Sequence, residues 1–336
     1  MSMNKNIKID FILMWVDGND PKWREDFNRY APIDKNGDKN EVRFRDWDNL
    51  QYWFRSIEMY APWVNKIHFV TYGHLPEWLD TNHPKLNIVL HEDIFEDQSC
   101  LPTFNSRAIE VNLHRIDGLS EHFVYFNDDT FLLQPTSKER FFLDGKPRDI
   151  AVSNVISPSN DLAHTLIDDI KIIGKYFNKK QTIKQNFFKW FNIVYGTKIF
   201  RTLFLLPWPD FTGFYDPHQP AAFLKSTYLE VWEKEREVLL NTSQTKFKKA
   251  GNVNQYLFRY WQLAKGTFEP IGVNDSLMIG LATEKDCQMA ASYIRNQRFQ
   301  LLCLNDSVDL CDFKKAKSII AEAFEYTFAS KSSYEK

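Results

Sequence analysis

The chain has 336 residues, 43% hydrophobic and 15% aromatic, so it can bury a large core as one elaborated domain or two intimately packed ones. Its 42 Lys and Arg against 44 Asp and Glu leave a formal net charge of −2, which supplies no basic field and argues against DNA or RNA as a partner. Cys100, Cys287, Cys303 and Cys311 form no C-x-x-C pair and have no histidines at zinc spacing, so they read as reduced core thiols of a cytosolic protein.

The polar opening "MSMNKNIKID" is not an apolar signal segment, and no window approaches the ~20 uncharged apolar residues of a membrane span. It leads into "IKIDFILMWVDG" (7–18), a β-rich run that closes on the turn signal Asp17-Gly18. "DNLQYWFRSIEMYAP" sets Leu50, Trp53, Phe54 and Ile57 at i, i+3, i+4 and i+7, which predicts an amphipathic helix ended by Ala61-Pro62. "KIHFVTYG" (66–73) and "LNIVL" (86–90) read as short strands, with a single helical turn expected at "PEWLD" between them. "TFNSRAIEVNLHRIDGLS" supplies a second helix with Ile109, Leu113 and Ile116 on one face. "HFVYFNDDTFLL" (122–133) is then an apolar strand running into Asp128 and Asp129. This alternation predicts an α/β fold with a mostly parallel, doubly wound sheet over residues 7–150.

Beyond it, residues 166–206 mix lysines with Phe, Trp, Ile and Leu at helical spacing, which predicts two amphipathic helices. These read as a helical cap on the core, with peripheral contact to the inner face of a membrane as the rival. Residues 229–241 and 313–328 predict further helices, and "FQLLCL" a strand that delivers Asn305-Asp306. No repeat or Gly/Ser linker divides the chain, so 1–336 is expected to be one catalytic unit. Its parts would be the α/β core (7–150), a helical insertion (151–250) and a C-terminal part (251–336) that completes the site.

Ligands of doubly wound sheets sit beyond the carboxyl ends of the strands, where Asp17 and the Asp128-Asp129 pair fall. Burying an unpaired carboxylate costs several kcal/mol, so such a pair faces water, caps a turn or holds a cation. Mg²⁺ or Mn²⁺, with oxygen ligands and substrate phosphates in the shell, suits two carboxylates. His218, between Pro217 and Pro220 in "DPHQP", offers a side chain whose unperturbed pKa near ~6.5 suits a general base.

The segments "IDFILMWVDGNDPKW", "RFRDWDNLQYWFRSIEMYAPWVNKIHFVTYGHLPEWL", "LPTFNSRAIE", "YFNDDTF", "DPHQPAAFLKS" and "LLCLNDS", in this order, resemble the four blocks of the Stealth family. That family comprises bacterial capsular and cell-wall polysaccharide phosphotransferases and the animal UDP-N-acetylglucosamine lysosomal-enzyme phosphotransferase. The resemblance implies a core like that of metal-dependent nucleotide-sugar (GT-A-like) glycosyltransferases, in the compact bacterial form. It implies transfer of a hexose 1-phosphate from a UDP-sugar to a hydroxyl of a glycan acceptor, soluble or lipid-linked, with release of UMP. Residue by residue, it implies that Asp128, Asp129 and Asp306 hold Mg²⁺ or Mn²⁺ and that His218 is the base. Glu110 joins them in the catalytic set, while Trp15, Asp17, Gly18, Arg43, Asn105, Ser106, Lys248 and Asn305 contact substrate. Asn105 also reads as a helix cap, Glu110 as a surface acid and Trp15 as a core aromatic. "TKFKKAGNVN" departs from the family by placing Lys248 where an arginine is usual and Asn252 near the position of an acid. Two alternatives stay open: a conventional glycosyltransferase releasing UDP, and an inactive nucleotide-sugar-binding protein.

Overall fold

In the computed structural model, which describes residues 7–31, 45–158 and 162–336, strand β1 (Ile9–Trp15) is central. It pairs in parallel with β2 (Ile67–Thr71), and β2 pairs in parallel with β3 (Leu86–Leu90). On the other side of β1 lies β4 (His122–Phe126), also parallel. The chain winds outward from β1 to β3 and then returns across β1 to β4, the reversal that leaves a crevice at the carboxyl ends of β1 and β4. After β4 the chain turns and enters β5 (Thr130–Leu132), which belongs to another sheet. A hairpin of β6 (Phe142–Leu143) and β7 (Lys146–Asp149) follows, and β8 (Ala221–Leu224) closes the first sheet antiparallel to β4. The short β9 (Glu269–Pro270) joins β7, whereas β10 (Ser276–Leu281) and β11 (Leu301–Asp306) complete the sheet of β5.

Alternation along the strands decides the two faces. Phe11, Leu13, Val124 and Phe126 enter one core and Ile12, Phe123 and Tyr125 the other. The first core is covered by α2 (Leu50–Tyr60), whose Trp53 and Phe54 are fully buried. Two later helices, Glu284–Arg295 and Phe313–Thr327, pack against each other on that same core. The second core receives the helices of the middle of the chain, notably the almost wholly buried Gln255–Lys265. Both cores therefore draw on early and late parts of the sequence.

Several elements differ from the sequence reading. The stretch Pro21–Tyr30, left without an element, is helix α1, capped by Asp20, which accepts from Trp23 N at 2.7 Å, with Pro21 in its first turn. "PEWLD" is a turn followed by a bridge from Leu79 to Glu335, not a helical turn. The helix expected over 103–120 is a short one, Ser106–Glu110, followed by a 3₁₀ turn at Leu113–Arg115. Residues 166–206 hold most of the 14-residue helix Ala163–Tyr176, three short α-helices and a 3₁₀ segment, not two helices. Asn178 and Asn192 start new elements there by accepting backbone N–H bonds, and Gly196 adopts φ 57°, a left-handed conformation that suits glycine. The helix expected at 229–241 breaks at Glu235, whose carboxylate is drawn to Lys175 Nζ and Tyr176 Oη, each at 2.9 Å. Cys100, Cys287 and Cys303 are buried free thiols, whereas Cys311 is exposed. Among the described residues no helix is long and apolar enough to cross a membrane.

Candidate active site

Residues 127–129 form the corner at which the chain leaves one sheet for the other, so the acid pair stands where the two sheets part. Thr130 N donates to Asn127 O at 3.3 Å, Tyr125 Oη donates to Asn127 Oδ1 at 2.8 Å, and Leu304 N of β11 donates to Asp129 O at 2.8 Å. Asp128 reaches water through the mouth of the crevice, yet burial and the neighbouring Asp129 push its carboxyl up to about 7, with Asp46 adding to the effect. A carboxyl whose charged form is disfavoured by burial and by a neighbouring acid makes a site that a cation would relieve.

His218 Nε2 lies 3.8 Å from Asp129 Oδ2. The Asp129 carboxylate at that distance raises the histidine's pKa above the ordinary value, against the opposing effect of burial. His218 has φ 49°, an uncommon conformation for a side chain of this size. The loop is braced two residues earlier. Asp216 accepts from Arg259 Nη1 at 2.5 Å and from Tyr260 Oη at 2.6 Å, both on the buried helix Gln255–Lys265. Among the described residues, one trio brings its ligand atoms within 4.8 Å of one another: Asp129, His218 and Cys303. Burial holds the Cys303 thiol well above its usual pKa, and hard cations prefer oxygen donors to sulfur.

The crevice around these groups has a volume of about 470 Å³. One wall is aromatic, with Trp15 at the end of β1, Trp23 and Phe27 of α1, and Phe104 and Phe247 stacked at 5.3 Å. Trp15 itself stacks on Phe69 at 5.6 Å, so it both packs the core and borders the crevice. Polar side chains line the crevice as well, including Arg45, Asp46, Asn305 and Asp306. Glu110, Ser106 and Lys248 line the floor. Glu110 is buried, accepts from Gln255 N at 3.2 Å, and is held above the usual carboxylate range by that burial, which the nearby Lys248 ammonium partly offsets. The reading of Glu110 as a surface acid is corrected accordingly.

Other expected residues fall elsewhere. Asp17 and Gly18 lie past the end of β1 and do not line the crevice. Asp17 Oδ1 accepts from Asn19 N at 2.7 Å in a local turn, and Gly18 O accepts from Arg24 Nε at 2.6 Å. Asn105 is fully buried behind the floor. Its Oδ1 caps Arg107 N at 3.2 Å and its Nδ2 donates to Thr245 Oγ1 at 2.7 Å and Asn252 Oδ1 at 3.0 Å. Arg43 lies outside the described residues. Asp128 and Asp306 line the crevice but stand outside the ligand-distance trio, so of the three expected metal ligands it includes Asp129; Asp306 is engaged by Trp47 Nε1 at 3.2 Å and by Arg45 Nη1 at 3.7 Å. Arg45, Asp46 and Trp47 were missed by the sequence reading, as were the aromatic residues of α1. Asp46 is pushed by burial up to about 6, with Asp48 contributing. The signal for α1 was present, since Asp20-Pro21 is a capping residue followed by a proline suited to a first turn. His91 also borders the crevice, and burial depresses its pKa to about 4, so it is neutral near pH 7.

Comparison with known proteins adds an independent line. Residues 43–149 match the family described as Stealth protein CR2, conserved region 2. A capsular polysaccharide phosphotransferase, WcwK of Streptococcus pneumoniae, is 41% identical over 341 residues, covering 99% of each chain. The exopolysaccharide phosphotransferase cps2G of Lactiplantibacillus plantarum is 37% identical over 332 residues, covering 98% of this chain and 96% of its own. Among solved structures, galactosyltransferase LgtC in complex with donor and acceptor sugar analogs aligns over 96% of both chains at 9% identity and a TM-score of 0.41.

Proposed function

The chain belongs to the Stealth family, and from that membership we propose that it is a polysaccharide phosphotransferase. In this reading it moves a hexose 1-phosphate from a UDP-sugar to a hydroxyl of an acceptor glycan, forming a phosphodiester in a capsular or cell-wall polysaccharide. The observation that carries the reading is the meeting of Asp128, Asp129 and His218 at the carboxyl end of β4, inside a crevice lined by both aromatic and polar side chains.

Each part of the crevice has a chemical task in this reading. The rings of Trp15, Trp23, Phe27 and Phe104 offer stacking surface to a nucleobase. Lys248 and Arg45 place positive charge where a diphosphate would lie. Asp128 and Asp129 would hold Mg²⁺ or Mn²⁺, and the carboxyl of Asp128, raised first by burial and then by the charge of Asp129, is one whose ionised form a cation would favour. A bound divalent cation neutralises phosphate charge in the transition state. His218, oriented by Asp129, takes the proton of the acceptor hydroxyl as its oxygen bonds to the β-phosphorus. The bond from that phosphorus to the bridging oxygen breaks in line, and UMP leaves with the electron pair. The bond between C1 of the sugar and its oxygen is untouched, so the anomeric configuration is kept.

The leaving nucleotide tests this. The full chain is incubated with a UDP-sugar panel, Mg²⁺ or Mn²⁺ and oligosaccharide acceptors, UMP is resolved from UDP, and the product is examined by ³¹P NMR. UMP in step with a phosphodiester signal is the expected result. UDP as the primary product, with no phosphorus in the glycan, would assign the crevice to a conventional glycosyltransferase. No nucleotide release with any donor would reduce it to a binding site.

A further inference from the structure

We infer that the surface built by residues 179–208 docks onto a lipid bilayer rich in anionic headgroups. Between Asp169 and Asp210 the chain holds eight lysines and arginines and not one Asp or Glu, although the whole chain has 44 acids against 42 bases. Over the same stretch large apolar side chains stand in solvent: Phe188 is 84% exposed, Ile193 87% and Phe204 72%. Single exposed apolar residues are ordinary, but clustered ones mark a contact surface.

These side chains are carried on one bonded body. Lys179 Nζ donates to Leu205 O at 2.5 Å and to Trp208 O at 2.9 Å, tying the first helix of the stretch to its last. Tyr195 Oη donates to Lys189 O at 2.8 Å, and Lys189 Nζ in turn donates to Phe268 O at 2.6 Å, fastening the stretch to the loop after the helix Gln255–Lys265. The rings are therefore presented on an anchored platform.

Charge decides the occupant. A symmetric contact with a second copy of this chain would lay a predominantly basic surface against itself, since Glu269 pairs with Lys189 and Asp210 faces Lys179 but the other bases of 179–208 have no carboxylate partner among the described residues. An anionic bilayer is complementary to it. Lys180, Lys184, Lys198 and Arg201 have no carboxylate partner among the described residues and would face the headgroups. Phe188, Ile193 and Phe204 would enter the boundary between headgroups and acyl chains. The same platform touches the loop that carries His218. Arg201 donates to Asn154 Oδ1 at 2.9 Å and lies 5.5 Å over the ring of Tyr215, three residues before the histidine. Docking would bring that loop to the bilayer, which suits a lipid-linked acceptor. That last consequence rests on the proposed function; the docking itself does not.

Co-sedimentation of the full chain with vesicles of phosphatidylcholine alone, or of phosphatidylglycerol and phosphatidylcholine in equal parts, tests the inference without an activity readout. Binding to the phosphatidylglycerol vesicles is expected, weakening in 1 M salt, with little binding to neutral vesicles. The double variant Lys180→Glu/Lys184→Glu is expected to lose about 25-fold or more in affinity, at about five-fold per lost cation. Phe188→Ser/Phe204→Ser is expected to lose about 30-fold or more. Both should melt at the native temperature, since the altered side chains are in solvent. No preference for anionic vesicles in the native chain, or variants that bind as it does, would overturn the inference. A dimer in sedimentation velocity that the phenylalanine variant dissolves would also overturn it, assigning the surface to self-association.

Discussion

His218 combines a left-handed backbone, a contact to Asp129 and a brace from Asp216, so its ring is held in place more firmly than a surface loop would hold it. Asparagine tolerates that backbone better than most residues, which makes His218→Asn a cleaner probe than alanine. We predict a fall in turnover of ~10²-fold or more with little change in melting temperature. A two-fold effect would leave the ring a structural role only. Glu110 carries a different prediction. Its pKa is raised by burial, so the fold favours the protonated form. The stability it contributes is fully present below its unfolded value near ~4.5 and is lost as pH rises through the folded value. Glu110→Gln should therefore melt like the native chain near pH 4 and above it near pH 8, while turnover falls. A constant difference across that range would show that Glu110 is not charged against its burial.

Asn252 is read best as part of the segment 245–254. There its Oδ1 accepts from Asn105 Nδ2 at 3.0 Å, Thr245 Oγ1 at 3.1 Å and Lys249 N at 3.1 Å. These bonds join the start of the helix Ser106–Glu110 to the segment bearing Lys248, so the two elements that form the crevice floor are set by one buried amide. Its place near a usual acid thus has a structural explanation: what this position supplies is an acceptor oxygen facing three donors. Asn252→Ala should cost about 1–2 kcal/mol in chemical denaturation, because the buried Asn105 Nδ2 and the half-buried Lys249 N lose an acceptor while Thr245 Oγ1 keeps Thr242 O at 2.7 Å. Asn252→Asp should retain most of that, as a carboxylate accepts the same bonds. If alanine and aspartate were equally damaging, shape and not the acceptor would be what the site requires.

Across the whole molecule, the two cores share one central sheet, and the last residues tie back to early ones. Arg55 of α2 is buried and donates to Glu335 in a two-pronged pair, at 2.8 Å and 2.7 Å, while Tyr334 packs on Phe54 at 5.2 Å. Although burial raises the Glu335 carboxyl, the bonds from Arg55 and Ser332 outweigh it and hold the group below the usual carboxylate range. Glu335→Ala would leave a buried guanidinium without its main partner and should cost about 3–5 kcal/mol, read as a lower denaturant midpoint with an unchanged slope. A loss under about 1 kcal/mol would mean that the Phe328 carbonyl, 2.6 Å from Arg55 Nη1, suffices.

Local periodicity was enough to place the helix at Leu50–Tyr60, the parallel strands of the first sheet and the acid pair at the end of one of them, because each depends on spacings within a dozen residues. The order of motifs along the chain was enough to identify the family. The meeting of Asp129 with His218 was not legible in spacing, since it depends on β8 returning beside β4 and on Arg259 and Tyr260 fixing the loop from a distant helix. Nor was the switch of sheets at residues 127–129. Alternation tells which side chains share a face, but β5 leaves β4 because Thr130, Phe131 and Leu132 find their partners in Cys303, Leu302 and Leu301, some 170 residues on. The burial of Glu110 likewise arises from packing against the 245–255 segment, where desolvation by residues far along the chain, and not the local pattern, decides whether an acid is a surface charge or part of a site.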